Sequence, residues 1–186
     1  MILINGDSFT AGAESHVAWP DLVSGAVSIA ESGASNDYIL RSTVEYVLNK
    51  ARPDQVIIAW TTPDRIEISG KHLTATSWAR YGAGIVDAVF ADWDSAWAQS
   101  KFLTQIRLLD DFLSIRDIPH FFVSTFGIQC WAQGIAPAPW LGWPSSGIVE
   151  WMGDCAKGPG GHPLAAGHQR IAGHINEHIR HLGWVP

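Results

Sequence analysis

A short apolar run at the start of the chain leads directly into a glycine and a serine. Ile2–Asn5 is predicted to be a buried strand, Gly6 permits a tight turn, and a helix is expected from about Ala11. Ser8 would then project from the carboxyl end of the strand, where backbone N–H groups can face a developing negative charge. The same residues also fit an ordinary strand–turn–helix in which Ser8 caps the helix.

A second motif lies near the other end of the chain, before an amphipathic helix. Gly-Asp-Ser-x-Thr at residues 6–10 and His-Pro-x-x-x-Gly-His at residues 162–168 together resemble the SGNH hydrolase superfamily, the GDSL-type esterases and lipases. The resemblance extends over almost the whole chain, strong at its two ends and weaker between them. It implies hydrolysis of an ester by a serine nucleophile, without a cofactor.

Apolar and amphipathic segments alternate along the chain, which is typical of an α/β fold. Strands are predicted at residues 2–5, 27–30, 55–60 and 119–125, and helices at about 16–27, 36–51, 94–116 and 162–182. Residues 65–68 and 71–74 suggest a small hairpin, and residues around 126–160 form an irregular insertion rich in Trp, Pro and Gly. We therefore expect one domain, residues 1–186, with a three-layer α/β/α sandwich of the SGNH/flavodoxin-like type and a parallel sheet of about five strands.

The resemblance assigns Ser8 as the nucleophile and His162 as the base that takes its proton. The aspartate that the family places two or three residues before its histidine is missing, because Pro159 and Gly160 stand there. Four arrangements are open: Asp154 folds back to the imidazole, a backbone carbonyl holds it, a carboxylate comes from elsewhere in the chain, or Ser8 and His162 act as a dyad. On this basis, Gly160→Asp would be expected to raise turnover.

The family also implies three donors to the oxyanion. The backbone N–H groups of Ser8 and Ser35 match the first two. The third, an asparagine side chain, is absent, because Trp60-Thr61-Thr62-Pro63 follows the third strand. Asn36 in the neighbouring loop is favoured as its replacement, with the hydroxyl of Thr62 as the alternative.

Four of the ten tryptophans fall in the irregular segment: Trp131, Trp140, Trp143 and Trp151. They would either form an aromatic wall around a pocket for a sugar or an acyl chain, or fill a core beneath a long loop. The first alternative predicts that at least two of them line the Ser8 cleft, and it suggests an acetylated or acylated carbohydrate as substrate. A carbohydrate-binding or structural module that kept the fold and lost its catalytic acid is the alternative function.

Charge and composition exclude other classes of partner. The net charge is −6 and no basic run is present, so a nucleic acid is not expected to bind. No apolar run is long enough to span a membrane and no leader precedes Ile2, which predicts a cytoplasmic protein as synthesised. Cys130 and Cys155 are expected to be reduced thiols, with a disulfide between them as the alternative. The spacing of His and Cys residues suggests no metal site.

Overall fold

Parallel strands form the centre of the molecule in the computed structural model, which describes residues 1–74, 83–126, 139–143 and 146–184. The strands in chain order are β1 (Ile2–Asn5), β2 (Ala26–Ser28), β3 (Gln55–Trp60), β4 (Ile66–Ile68), β5 (Lys71–Leu73) and β6 (His120–Ser124). The main sheet has the order β2-β1-β3-β6, and all of its pairings are parallel. β4 and β5 form a separate antiparallel hairpin, as predicted.

Helices connect and cover these strands. They are α1 (Ser8–Ala11), α2 (Asn36–Asn49), α3 (Ala83–Phe90), α4 (Ser95–Ser114), α5 (Ile148–Met152) and α6 (Ala165–His181), with a 3₁₀ helix at Trp19–Leu22. The bounds of α2, α4 and α6 agree with the sequence-based prediction to within a few residues. The predicted class, a three-layer α/β/α sandwich, is confirmed.

The two faces of the sheet carry separate cores because successive strand residues point to opposite sides. Along β3, Val56 and Ile58 join a cluster with Leu109 of α4, whereas Ile57 joins a cluster with Ile175 of α6. Every one of these side chains is buried. This explains why β3 is a continuous apolar run rather than an alternating one.

The sheet has four strands where about five were expected. Beside β6, Phe122 forms a parallel bridge with Trp140, and the Phe122 N–H donates to Pro139 O at 2.9 Å. Leu141 N–H donates back to Phe122 O at 2.9 Å. A short extended stretch thus occupies the position next to β6, but its ladder is too brief to count as a strand.

The helix predicted at residues 16–27 is wrong. Only the four residues of the 3₁₀ helix are helical, and the chain is extended again at Val23. A side-chain oxygen of Asp21 accepts the Ala18 N–H at 2.8 Å, which closes a single turn, and Gly25 has a φ of +68°. Similarly, the helix expected from about Ala11 instead runs from Ser8 to Ala11 and ends at Gly12, whose φ is +74°.

Candidate active site

The turn after β1 is built around a buried carboxylate and a glycine. Asp7 caps α1 by accepting the N–H of Phe9 at 3.1 Å, which makes Ser8 the first helical residue. Gly6 is required by space, because a Cβ there would lie 2.4 Å from Thr10 Oγ1 and 2.9 Å from Ala59 Cβ. The backbone therefore passes close to β3 and α1 before it presents Ser8, as the sequence predicted for a tight turn.

His162 lies directly opposite Ser8. Its Nε2 is 2.9 Å from Ser8 Oγ, although the two residues are 154 positions apart in the chain. The imidazole is held in a turn before α6, in which the N–H of Gly158 donates to His162 O at 2.9 Å. The ring of Phe9 packs against that of His162, with centroids 5.0 Å apart. The structure thus brings together the two residues that the motifs had paired.

The partner of the second imidazole nitrogen is Glu14, which sequence reasoning missed. His162 Nδ1 is 2.8 Å from Glu14 Oε2, and the same carboxylate accepts the N–H groups of Gly160 at 2.7 Å and of His162 at 3.3 Å. Glu14 has a φ of +68°, in a backbone region that non-glycine residues rarely adopt. This conformation follows the Gly12 turn and carries the carboxylate to the histidine loop.

Glu14 fixes which nitrogen of His162 carries the proton. The hydrogen bond from the Gly160 N–H is the largest of several influences that hold the pKa of Glu14 below its ordinary value, so the carboxylate is ionised at neutral pH. An ionised carboxylate only accepts hydrogen bonds, which places a proton on Nδ1 of the imidazole. In the neutral ring, Nε2 is then an acceptor that faces the Ser8 hydroxyl.

The glycine-rich loop leaves room for Glu14. A Cβ at Gly158 would lie 2.7 Å from Glu14 Oε2, and one at Gly160 would lie 3.1 and 3.2 Å from the two carboxylate oxygens. The absence of side chains here, which in the sequence looked like the loss of the acid, is what admits a carboxylate from the other end of the chain. This is the one sequence signal that could have pointed to Glu14.

Asp154 does not take part in this arrangement. Its side chain is 97 % exposed, and its carboxylate pairs with Arg170 Nη1 at 3.0 Å. Glu14 makes the contact to His162 that was expected of Asp154, which agrees with the alternative of a carboxylate from elsewhere in the chain.

Asp7 lies in a polar environment beneath the turn that carries Ser8. Its side chain is fully buried, and it accepts hydrogen bonds from Thr61 Oγ1 at 2.7 Å and from Thr125 Oγ1 at 3.2 Å. Arg65 Nη1 lies 3.4 Å from Asp7 Oδ2. Burial nevertheless raises the pKa of Asp7, because the loss of hydration outweighs these favourable contacts. Asp7 thus ties together the carboxyl ends of β1, β3 and β6.

The predicted oxyanion donors have different surroundings. Within the described part of the chain, the backbone N–H groups of Ser8 and Ser35 donate to no other residue. The amide of Asn36, in contrast, donates to Thr61 O at 3.1 Å and Thr62 O at 3.3 Å and accepts the Thr61 N–H at 3.0 Å. Asn36 is therefore committed to holding the loop after β3, which argues against the favoured role, while Thr62 remains a prediction.

Three tryptophans of the irregular segment are described, and each contacts another aromatic ring. Trp140 packs on the ring of Phe122 at 5.6 Å and on Trp143 at 5.2 Å, and Trp151 is a buried member of the core whose ring stacks on His174. These contacts favour the core-filling alternative for Trp140 and Trp151. Trp131 and Cys130 lie outside the described residues, and the aromatic wall remains a prediction. Cys155 is a free thiol.

The described residues contain neither a cluster of metal-ligating side chains nor a helix suited to span a membrane. Among these residues, no group of three or more His, Cys, Asp or Glu side chains could hold a metal ion. None of the described helices combines the length and the apolar character that crossing a bilayer requires.

The fold and the site define a class of α/β/α proteins in which a serine follows the first strand and a histidine precedes the last helix. No protein-family model and no curated protein sequence matches the chain. Its structure is similar to that of TesA, with a TM-score of 0.57 and 14 % identity over 97 % of this chain and 98 % of that one. It is also similar to a member of the lipolytic protein G-D-S-L family from Veillonella parvula DSM 2008, with a TM-score of 0.50 and 11 % identity over 95 % and 96 % of the two chains. The resemblance to the SGNH hydrolases is thus confirmed at the level of the fold.

Proposed function

We propose that this protein is a serine hydrolase that cleaves carboxylic esters through an acyl-enzyme on Ser8. The observation that carries the proposal is the continuous line of hydrogen bonds from Ser8 Oγ through His162 to Glu14, at 2.9 and 2.8 Å. Nucleophile, base and orienting carboxylate within hydrogen-bond reach are the arrangement that acyl transfer requires.

The residues have distinct roles in the proposed reaction. His162 Nε2 takes the Ser8 proton as Oγ attacks the ester carbonyl, and the carbonyl electron pair moves onto oxygen. Collapse of this tetrahedral species breaks the bond to the alcohol oxygen, which leaves with the proton from Nε2. Water then attacks the acyl-enzyme with His162 again as base, which releases the carboxylic acid and restores the Ser8 hydroxyl. Glu14 stabilises the imidazolium in both halves.

Glu14 also bears on the alternative function. A module that had lost its catalytic acid would have no need of an ionised carboxylate on Nδ1, and the residues at positions 159 and 160, where the family has its aspartate, supply none. The intact Ser8–His162–Glu14 line therefore favours a hydrolase over an impaired binding or structural module.

Within the ester class, we propose an acylated carbohydrate as the candidate substrate, because tryptophan rings suit the apolar faces of sugars. Support for it comes from the composition of the segment between Trp131 and Trp151. A panel that compares p-nitrophenyl acetate and butyrate with acetylated mono- and oligosaccharides tests it. Equal kcat/KM for simple and sugar esters would contradict the carbohydrate part alone.

The hydrolase itself is tested by covalent labelling. A fluorophosphonate should form one adduct on Ser8, located by peptide mass spectrometry, and Ser8→Ala should remove both the adduct and the hydrolysis of p-nitrophenyl acetate. His162→Ala should also abolish hydrolysis. Ser114→Ala, at an exposed serine near the end of α4, is the matched control and should behave as the wild type. An adduct on another serine, or none, would overturn the proposal.

A further inference from the structure

An arginine that the catalytic line does not use lies beside the nucleophile turn. Arg65 Nη1 is 3.4 Å from Asp7 Oδ2 and 3.4 Å from Ala34 O. Its side chain is only 17 % exposed, and its guanidinium carbon lies 5.9 Å from the centre of the Phe126 ring. A guanidinium is charged at every physiological pH, so this is a fixed positive charge in a largely enclosed place.

The two contacts of Arg65 connect it to both backbone segments of the expected oxyanion hole. Asp7 immediately precedes Ser8, and Ala34 immediately precedes Ser35. Phe126 packs on Phe9 at 5.3 Å, and Phe9 in turn packs on the imidazole of His162. The guanidinium is thus bordered by groups that flank the nucleophile, the second amide and the base.

The described residues supply only two acceptors for the Arg65 guanidinium. Both hydrogen bonds are made by Nη1, and within the described ranges Nε and Nη2 have no acceptor. A guanidinium has five N–H groups, so three remain for a ligand. Two neighbouring polar side chains are occupied: Asn36 holds the backbone of Thr61 and Thr62, and the Thr61 hydroxyl donates to Asp7.

Pairing with Asp7 engages only Nη1 of the Arg65 guanidinium. The Asp7 carboxylate already accepts three uncharged donors at 2.7 to 3.2 Å, from Thr61, Thr125 and the Phe9 N–H, whereas the Arg65 contact is longer than all of them. The guanidinium therefore approaches Asp7 without being tightly bound by it.

We propose that Arg65 is the side-chain donor of the oxyanion hole, the role for which the sequence after β3 offers no asparagine. The inference rests on the proposed ester hydrolysis. When Ser8 Oγ attacks and the carbonyl electron pair moves onto oxygen, unused N–H groups of Arg65 donate to that oxygen beside the amides of Ser8 and Ser35. No proton leaves Arg65, and the electron pair returns when the tetrahedral species collapses.

The test measures kcat and KM separately for p-nitrophenyl acetate. Arg65→Met should lower kcat about 100- to 1,000-fold with little change in KM, because the lost interaction is made in the transition state. Arg65→Lys keeps the positive charge but loses the planar guanidinium with its several N–H donors, so its kcat should lie between those of Arg65→Met and the wild type. In Arg65→Ala, millimolar guanidinium chloride should restore part of the activity. Arg107→Met, an arginine on the exposed face of α4, is the matched control and should leave kcat unchanged.

A double variant separates catalysis from support of Asp7. In an Asp7→Asn background no buried carboxylate needs a countercharge, so a structural role predicts that Arg65→Met costs little there, whereas an oxyanion role predicts the full loss of kcat. If the wild type hydrolyses ester and Arg65→Met stays within about fivefold in this background, Arg65 is not the donor. A larger loss in Thr62→Val would then assign the role to Thr62. If the wild type neither hydrolyses ester nor labels at Ser8, the proposed function fails and this inference falls with it.

Discussion

Asp7 and Glu14 lie on either side of Ser8, and their surroundings move their pKa values in opposite directions. Asp7 is fully buried and accepts four donors, yet desolvation raises its pKa. Glu14 is 26 % exposed and accepts three donors, and its pKa is lowered. Exposure to water therefore matters more than the number of donors in deciding how readily each carboxylate ionises.

Asp7 and Glu14 also have different contacts, and we expect different roles for them. Asp7 connects the ends of three strands and never approaches the imidazole, whereas Glu14 binds one imidazole nitrogen and two backbone amides of the histidine loop. Removing the charge of Glu14 should therefore affect turnover, and removing that of Asp7 should affect mainly the stability of the fold.

The largest effect is expected for Glu14→Gln. The amide cannot stabilise an imidazolium and can present its NH₂ group to Nδ1, which favours the wrong tautomer, so kcat should fall about 100- to 10,000-fold. Steady-state kinetics with p-nitrophenyl acetate measures this. Asp7→Asn should lower kcat by clearly less, and equal losses in the two variants would erase the distinction between the two carboxylates.

A smaller loss is expected for Gly160→Asp, which reverses the sequence-based expectation that this change would restore a catalytic acid. The new Cβ would crowd both Glu14 oxygens and lie 3.2 Å from His162 Nδ1, and the added carboxylate would repel that of Glu14. Displacement of the imidazole should lower kcat about 10- to 100-fold. Gly173→Asp, at a glycine of α6 with open space around it, is the matched control. An increase in kcat for Gly160→Asp would show that Glu14 does not serve as the acid.

Asp7→Asn should change the pH dependence of stability. The pKa of Asp7 is raised in the folded state. Its contribution to the free energy of unfolding is therefore fully present below the ordinary pKa of 3.8 and is lost as pH rises through the folded-state pKa. The free energy of unfolding of Asp7→Asn, measured in urea, should therefore increase relative to that of the wild type as pH rises from 3.5 to 7. A single buried substitution typically changes this free energy by about 1 kcal/mol. A difference that is constant with pH would contradict the raised pKa.

The smallest effect is expected for Glu14→Gln, in which the pH dependence of stability has the opposite sign to that of Asp7→Asn. Its lowered pKa means that its contribution to stability is present above the ordinary value of 4.5 and is lost as pH falls through the folded value. The wild type should be slightly more stable than Glu14→Gln at pH 7, and the two should converge in acid. Because the carboxylate is partly exposed, 0.5 M salt should reduce the difference. A gap that widens in acid would contradict this sign.

The sequence predicted most of the fold because the core-forming segments have clear periodicity. Gln55–Trp60 and the apolar faces of α4 and α6 are specified by local pattern, and the Ser8–His162 pair by two motifs. Glu14 could not be predicted, because its contact depends on a positive φ and on the meeting of loops 148 residues apart in the chain. The 3₁₀ turn at Trp19–Leu22 was not predicted, because the Asp21 carboxylate accepts the Ala18 N–H and this contact overrides an apolar pattern that suits a longer helix.

The position of Glu14 in the chain has a consequence for folding kinetics. Ser8 and Glu14 lie on one short segment, so they can adopt their local geometry early, but His162 reaches them only when the last helix docks on the sheet. Contacts that close so long a loop are entropically costly and form late in many proteins. After dilution from denaturant, esterase activity should therefore recover more slowly than the helical circular dichroism signal. The delay between the two signals would measure how slowly the C-terminal segment docks.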